Sequence, residues 1–107
     1  MKRRALQPEP TETTPLDFLC EGLLALRSVD EVRAFLRDLT TPAELEALTD
    51  RWRVVPLLMQ EVAYREIHDR TAVSVTTIGR VARFLAGEHG GYVLVADRLK
   101  RKGRWPG

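Results

Sequence analysis

The chain has 107 residues, of which 44% are hydrophobic and 30% charged, and its formal net charge is +2. This length and composition predict one globular domain and exclude a disordered chain. No apolar stretch approaches the roughly 20 residues of a membrane span, and the basic start lacks a signal peptide's apolar core, so we expect a cytoplasmic protein.

The charge is distributed unevenly along the chain. Residues 1–61 carry eight basic and eleven acidic side chains, a net charge of −3. Residues 62–107 carry nine basic and four acidic side chains, a net charge of +5. A basic half joined to an acidic half suggests that one end of the molecule binds a polyanion.

The N-terminal region combines a predicted flexible arm with a first helix. Residues 1–13 are rich in Pro, Glu and Thr and lack apolar periodicity, which is typical of a flexible segment. Thr14 and Pro15 then begin a helix, as an N-cap and a first helical residue. We expect Cys20 in this helix to be a buried structural thiol. Phe18 lies outside the main apolar stripe, so this helix has apolar surface on more than one side. We therefore expect it to be enclosed, for example by a second subunit.

Two capping boxes mark the starts of the next two helices. Ser28 with Glu31 begins the second helix, and Thr41 with Glu44 begins the third. Pro56 lies inside the third helix, where a proline costs about 3 kcal/mol, so we expect a kink or a break there. Helical spacing predicts buried faces at Val32, Phe35, Leu36 and Leu39, and at Leu45, Leu48, Trp52, Val55 and Met59.

The second half of the chain predicts three more helices. A short one over about residues 64–70 directs Tyr64 and Ile67 inward, and a last one contains Tyr92, although residues 92–95 alone could form a strand. The helix between them begins near Ser74 and buries Ile78, Val81, Ala82 and Leu85. We therefore predict an all-α domain over residues 14–101, followed by a flexible basic tail over 102–107.

Residues 64–86 have the layout of a helix-turn-helix, a short helix and a tight turn before a second helix opened by Ser. Thr76, Arg80 and Arg83 are spaced i, i+4, i+7 and form one stripe opposite the buried face. Such a stripe suits the major groove, because arginine binds guanine through two hydrogen bonds and threonine contacts base edges. The predicted DNA contacts are Tyr64, Arg65, Ser74, Val75, Thr76, Thr77, Gly79, Arg80 and Arg83.

Two positions depart from the usual pattern of this motif. Ala72 stands where a glycine usually allows a left-handed backbone, and Ala63 stands where a capping side chain is preferred. The alternatives are therefore a helical protein-interaction module, whose hairpin is only a packing unit, and a nonspecific nucleic-acid binder. Steep weakening of binding as salt rises would indicate phosphate contacts rather than an apolar protein contact.

The sequence contains no pattern typical of an enzyme or a metal site. Glu44 with Glu46 and His68 with Asp69 are too close in sequence to share a helix face and converge on one ion. No nucleophile–base set, phosphate loop or metal-ligand spacing is present. We expect His68 on the exposed side of its helix, where it can contact a phosphate.

Several motifs together resemble the Trp-repressor superfamily, whose patterns run LTPxExEALxxRxR, RE[IL] and TIxR. The chain has LTTPAELEALTDRWRVVPLL at 39–58, YREI at 64–67 and VSVTTIGRV at 73–81. LDFLCEGLLALRSVDE at 16–31 and RVARFLAGEHGGY at 80–92 are closer to its YerC/YecD branch of Trp-repressor-related proteins. The resemblance covers residues 15–99.

This resemblance implies a fold of six helices and an intertwined homodimer with two reading heads. It implies a sequence-specific regulator of transcription that acts as a repressor. Such a protein binds double-stranded DNA at a palindromic operator and is associated with the bacterial nucleoid. The helix over about 74–86 would read the major groove, and the half-sites would lie about 34–36 Å apart.

The resemblance also bears on a tryptophan co-repressor. The threonine and two arginines that hold tryptophan in the Trp repressor match Thr41, Arg51 and Arg80. The small residues that make room for its indole correspond here to the bulkier Val81 and Phe84. We therefore expect no tryptophan-type co-repressor and no other known cofactor, with Arg51 and Arg80 pairing instead with acids or phosphates.

Overall fold

The structure is a computed structural model that describes residues 6, 7, 9 and 12–107. Most of the predicted arm over residues 1–13 lies outside the described residues. The described part contains six helices and no strand, which confirms the predicted all-α class. The helices are α1 (Pro15–Leu24), α2 (Val29–Leu39), α3 (Pro42–Met59), α4 (Tyr64–Thr71), α5 (Val75–Leu85) and α6 (Gly91–Arg101).

The predicted capping residues begin their helices through local hydrogen bonds. Ser28 Oγ accepts from the N–H of Glu31 at 3.1 Å, while the Glu31 carboxylate accepts from the N–H of Arg27 at 2.8 Å. Thr41 and Glu44 form a complete capping box, with bonds of 3.2 and 2.8 Å in the two directions. Each cap satisfies amide groups that the first helical turn leaves without an intrahelical partner.

Helix α3 continues through Pro56 to Met59, so of the two expected effects, a kink or a break, the break does not occur. Pro56 lies in the last turn, and its own carbonyl still accepts from the N–H of Gln60 at 3.1 Å. Pro56 is buried beside Val54 and Val55, both with 0% exposure. The burial of this segment offsets the loss of one hydrogen bond near the helix end.

The chain divides after Leu39 into two compact units, of which the first contains α1 and α2. Neither of these helices has a fully buried residue. Phe18 is 72% exposed and Leu24 is 85% exposed, so α1 presents large apolar side chains to its surroundings. Cys20 is exposed as well, so the expectation of a buried thiol is wrong, in keeping with the lack of a fully buried residue in α1 and α2.

The second unit contains α3 to α6, and its core lies where three helices meet. Helix α3 packs against α4 and α5, and α4 packs against α5. The fully buried apolar residues of this core are Val54, Val55, Ile67, Val73, Ile78 and Val81. Tyr64 is 43% exposed, contrary to its predicted inward position, because it lines an open cavity with Leu58 and Leu85 instead of entering the core.

The C-terminal part of this unit packs through aromatic rings. Helix α6 includes Tyr92. The predicted helix is therefore confirmed, and the alternative of a strand at residues 92–95 is wrong. The rings of Trp52 and Tyr92 are stacked, with centroids 6.0 Å apart. Trp105, from the segment predicted as a flexible tail at 102–107, lies edge-on to Trp52 at 5.5 Å. Among the described residues, no helix is long and apolar enough to cross a membrane.

Candidate nucleic-acid interface

The helices α4 and α5 are joined by a turn of residues 72–74 that reverses the chain at Ala72. Ala72 has a left-handed backbone with φ +62°, and its N–H donates to the carbonyl of His68 at 2.8 Å. A residue with a Cβ pays roughly 1–2 kcal/mol for this conformation. The turn therefore has the usual geometry of a helix C-cap without the usual glycine.

Side chains on two helices hold the turn in place. The hydroxyl of Thr71 donates to the Ile67 carbonyl at 2.6 Å and accepts from the N–H of Val73 at 3.1 Å. His68 Nδ1 donates to the Val73 carbonyl at 2.8 Å, since a carbonyl oxygen only accepts. From α3, Arg53 Nη1 donates to the Thr71 carbonyl at 3.2 Å. His68 thus contacts the turn, a role that was not predicted from the sequence.

Helix α5 begins with a side-chain cap that positions its first turn. Ser74 Oγ accepts from the N–H of Thr77 at 3.1 Å and donates to Thr77 Oγ1 at 3.0 Å. Helix α4 has no side-chain cap at Ala63, in agreement with its sequence. Val75 and Thr76 follow this cap in the first turn of α5, and both side chains are exposed.

The two faces of α5 differ sharply in exposure. Ile78 and Val81 are 0% and 1% exposed, and they attach the helix to the core. The opposite face carries exposed Thr76, Arg80 and Arg83. A Cβ built at the neighbouring Gly79 would meet no atom within 4 Å, so this backbone borders open space. The exposed face therefore presents hydrogen-bond donors and positive charge.

The exposed arginines of α5 have no carboxylate partner among the described residues. The ion pairs of the described part join Arg33 to Asp30 and Arg70 to Glu66. The guanidinium carbon of Arg80 lies 4.8 Å from the ring centroid of Phe84, and that of Arg83 lies at 5.6 Å. These contacts were not predicted, although the i, i+4 spacing of Arg80 and Phe84 is a signal that could have indicated one of them.

The other predicted contact residues lie on both helices of the motif. Tyr64 and Arg65 are exposed at the start of α4, and Ser74 is exposed at the start of α5. Thr77 and Gly79 are half-buried within α5. The helix-turn-helix therefore brings all nine predicted residues onto one pair of packed helices, with Thr76, Arg80 and Arg83 as its exposed stripe.

The three residues that match tryptophan-binding positions differ in their surroundings. Thr41 is exposed and occupied in the α3 capping box, Arg51 is half-buried, and Arg80 lies over the Phe84 ring. Neither arginine forms an ion pair with an acid in the described part of the chain, and the alternative pairing with phosphates stays a prediction. Their guanidiniums remain available to an external group.

Two cavities of the second unit lie at other positions. One, of about 380 Å³, is lined by residues that include Arg53, Pro56 and Arg70. The other, of about 410 Å³, is lined mainly by apolar residues such as Leu58 and Leu85. Neither is lined by the three matching residues. In the described ranges, no group of three or more His, Cys, Asp or Glu side chains could hold a metal ion.

Comparisons with known proteins agree with this architecture. A family model described as Trp repressor protein matches residues 14–100. The uncharacterized protein YerC of Bacillus subtilis (strain 168) is 34% identical over 85 residues, which are 79% of this chain and 82% of that protein. A TrpR-like protein from Eubacterium eligens ATCC 27750, known from a crystal structure, matches with a TM-score of 0.76 and 30% identity over 90% of this chain and 96% of its own. The chain therefore belongs to the Trp repressor family, and this membership suggests a helical DNA-binding regulator.

Proposed function

We propose that the protein is a sequence-specific regulator of transcription, acting as a repressor, that reads the major groove of double-stranded DNA with α5. The observation that carries the proposal is the exposed stripe of Thr76, Arg80 and Arg83 on a helix whose other face is fixed in the core. A helix held in this way enters the groove without reorganising. Family membership supports the same function.

The residues of the motif divide into two roles. Arg80 and Arg83 supply guanidinium donors for guanine, and Thr76 supplies a hydroxyl and a methyl group near the start of α5. Arg65 and Tyr64 at the start of α4 supply hydrogen-bond donors to phosphates, together with Ser74 and the amides that begin α5. Gly79 allows close approach of the backbone, because nothing would project from it toward the DNA.

The protein acts as a homodimer in this proposal. The first unit exposes large apolar side chains to water. Full burial of one such side chain is favourable by about 1.5–3 kcal/mol. These side chains belong to α1 and α2 and include Leu16, Phe18, Leu24, Val29 and Leu39. A dimer formed in this way carries two α5 helices, and dimers of this motif read half-sites about 34–36 Å apart.

Repression in this proposal requires no tryptophan-type co-repressor. Val81 is buried in the core, and Phe84 occupies the surface beside Arg80 with its ring. Neither position offers the small side chain that an indole would need beside it. Titration calorimetry with tryptophan tests this point, and tight binding of the amino acid to the free protein would overturn it.

The decisive experiment selects bound duplexes from fragmented bacterial DNA and measures the affinity of the enriched sequence against random duplex. We expect the selected duplex to bind at least roughly 10³-fold more tightly. Binding should weaken steeply as salt rises, because phosphate contacts release counterions. Equal affinity for both duplexes would indicate a nonspecific binder, and no duplex binding would indicate the protein-interaction module.

A further inference from the structure

The ring of Phe84 lies on α5 but is not among the proposed contacts to DNA bases. It is 39% exposed, although most large apolar side chains of this helix face the core. Both exposed arginines direct their guanidiniums at it, Arg80 at 4.8 Å and Arg83 at 5.6 Å from the ring centroid. One aromatic ring therefore contacts the two positive groups that carry the proposed function.

We propose that Phe84 is a positioning residue that holds Arg80 and Arg83 in the conformation that reads DNA. The inference rests on the proposed function, which it deepens. An arginine side chain has many rotamers, and ordering it on binding costs free energy. The face of an aromatic ring attracts a guanidinium within about 6 Å of its centroid, so part of this ordering is complete before DNA arrives.

Contact with the ring leaves the arginines able to bind DNA. The N–H donors of a guanidinium lie at the edge of its plane, so one face can rest on an aromatic ring while the edge donates to guanine. No carboxylate competes for Arg80 or Arg83 in the described part of the chain. Phe84 thus orders the two cations without neutralising their charge, which an acidic side chain at this position would do.

The variant Phe84→Leu tests the proposal, because leucine is apolar and favours a helix but has no ring. We expect its affinity for the selected duplex to fall by about 5- to 30-fold, the combined effect of two exposed cation–π contacts. Affinity for random duplex should change little, since phosphate contacts accept many arginine conformations. Phe84→Tyr is the matched control, which keeps the ring and should bind within about threefold of the original protein.

A coupling measurement separates positioning from a merely structural role. In a chain that carries Arg80→Ala and Arg83→Ala, the change Phe84→Leu should have no further effect on DNA binding. A structural role would lower binding in this background as well, and that result would overturn the proposal. Phe84→Met serves as a second variant without a ring if Phe84→Leu fails to fold by circular dichroism.

Nuclear magnetic resonance of the free protein provides a readout that needs no DNA. The Cδ protons of Arg80 and Arg83 should show ring-current shifts that disappear in Phe84→Leu and persist in Phe84→Tyr. If the original protein binds no selected duplex, the proposed function fails, and this inference with it. If it binds, and Phe84→Leu binds equally well or the ring-current shifts are absent, the positioning role alone is overturned.

Discussion

Arg80 and Arg83 are exposed cations on a helix that is otherwise fixed by buried aliphatic side chains. Their nearest described partner is an aromatic ring and not an acid, so their charge is available to a polyanion. Neither side chain contributes to the core of Ile67, Ile78 and Val81. At the scale of single residues, the proposed function and the stability of α5 therefore depend on different side chains.

We expect Arg80→Ala and Arg83→Ala each to weaken binding to the selected duplex by roughly 1–3 kcal/mol if the side chain contacts a base. Thermal unfolding should be nearly unchanged, because both side chains are exposed. Fluorescence anisotropy measures the affinity. Arg37→Ala in α2 is the matched control, an exposed arginine outside the motif. Unchanged affinity in both α5 variants would contradict the assigned reading face.

Local hydrogen bonds stabilise the ends of helices in the second unit. Two of these ends, the turn after α4 and the start of α3, are expected to affect the free energy of unfolding. The turn at Ala72 accepts a strained backbone conformation, which Thr71 and His68 hold by bonds to Val73. The start of α3 holds Glu44 as an anion beside the N–H of Thr41. Both features lie outside the hydrophobic core, yet each is expected to change the stability of a helix in the second unit.

Ala72→Gly should stabilise the protein. Glycine adopts φ +62° without the roughly 1–2 kcal/mol that a Cβ costs there, while its greater freedom in the unfolded chain costs about 0.4–1 kcal/mol. The expected net gain in the free energy of unfolding is about 0.5–1 kcal/mol, measured by urea denaturation. Ala34→Gly, at an exposed position inside α2, should instead lower stability by about 0.5–1 kcal/mol. Destabilisation by both changes would show that Ala72 is not strained.

Stability should depend on the ionisation of Glu44 in the acid range. The hydrogen bond from the Thr41 N–H, and then that from its hydroxyl, lower the pKa of Glu44 below the ordinary 4.5. A carboxylate with a lowered pKa stabilises the folded state fully above its unfolded-state pKa, and this contribution is lost as the pH falls through the folded-state value. The loss is therefore expected below pH 4.5.

Glu44→Gln isolates this effect, because glutamine keeps the capping geometry without titrating. The difference in free energy of unfolding between the original protein and Glu44→Gln should be constant at neutral pH and shrink below pH 4.5. Denaturation at a series of pH values measures it. A difference that stays constant throughout the acid range would show that Glu44 is not held as an anion by Thr41.

The whole molecule has a closed core in one unit and an apolar surface in the other. Six buried aliphatic side chains make the second unit compact, whereas α1 and α2 lack a fully buried residue. In the proposed homodimer, a second copy would cover this apolar surface. Dimerisation and the folding of the first unit should accordingly be coupled.

We expect Phe18→Glu to weaken dimerisation at least about tenfold, since it places a charge where an apolar side chain would be covered. Sedimentation equilibrium at micromolar concentration measures the dimer constant. Glu21→Lys is the control, a charge change at an exposed position of the same helix. If the original protein were a folded monomer at this concentration, the proposed intertwined homodimer would be contradicted.

The sequence by itself determined four of the helix starts, the all-α class and the layout of the helix-turn-helix. Thr14, Ser28, Thr41 and Ser74 each accept from an amide three residues onward, and an interaction of that range can be derived from local spacing. The spacing of Ile78 and Val81 against Thr76 and Arg80 likewise fixed the two faces of α5, because helical periodicity is local.

Only the tertiary structure decided which apolar residues are covered and which side chains meet. Cys20 and Tyr64 fit apolar stripes but are exposed, and Pro56 lies inside a continuous helix because its surroundings are buried. His68 and Arg53 meet the turn after Thr71 through contacts that local periodicity does not specify. Burial depends on what another part of the chain, or another chain, places against a surface, and a pattern along one helix does not contain that information.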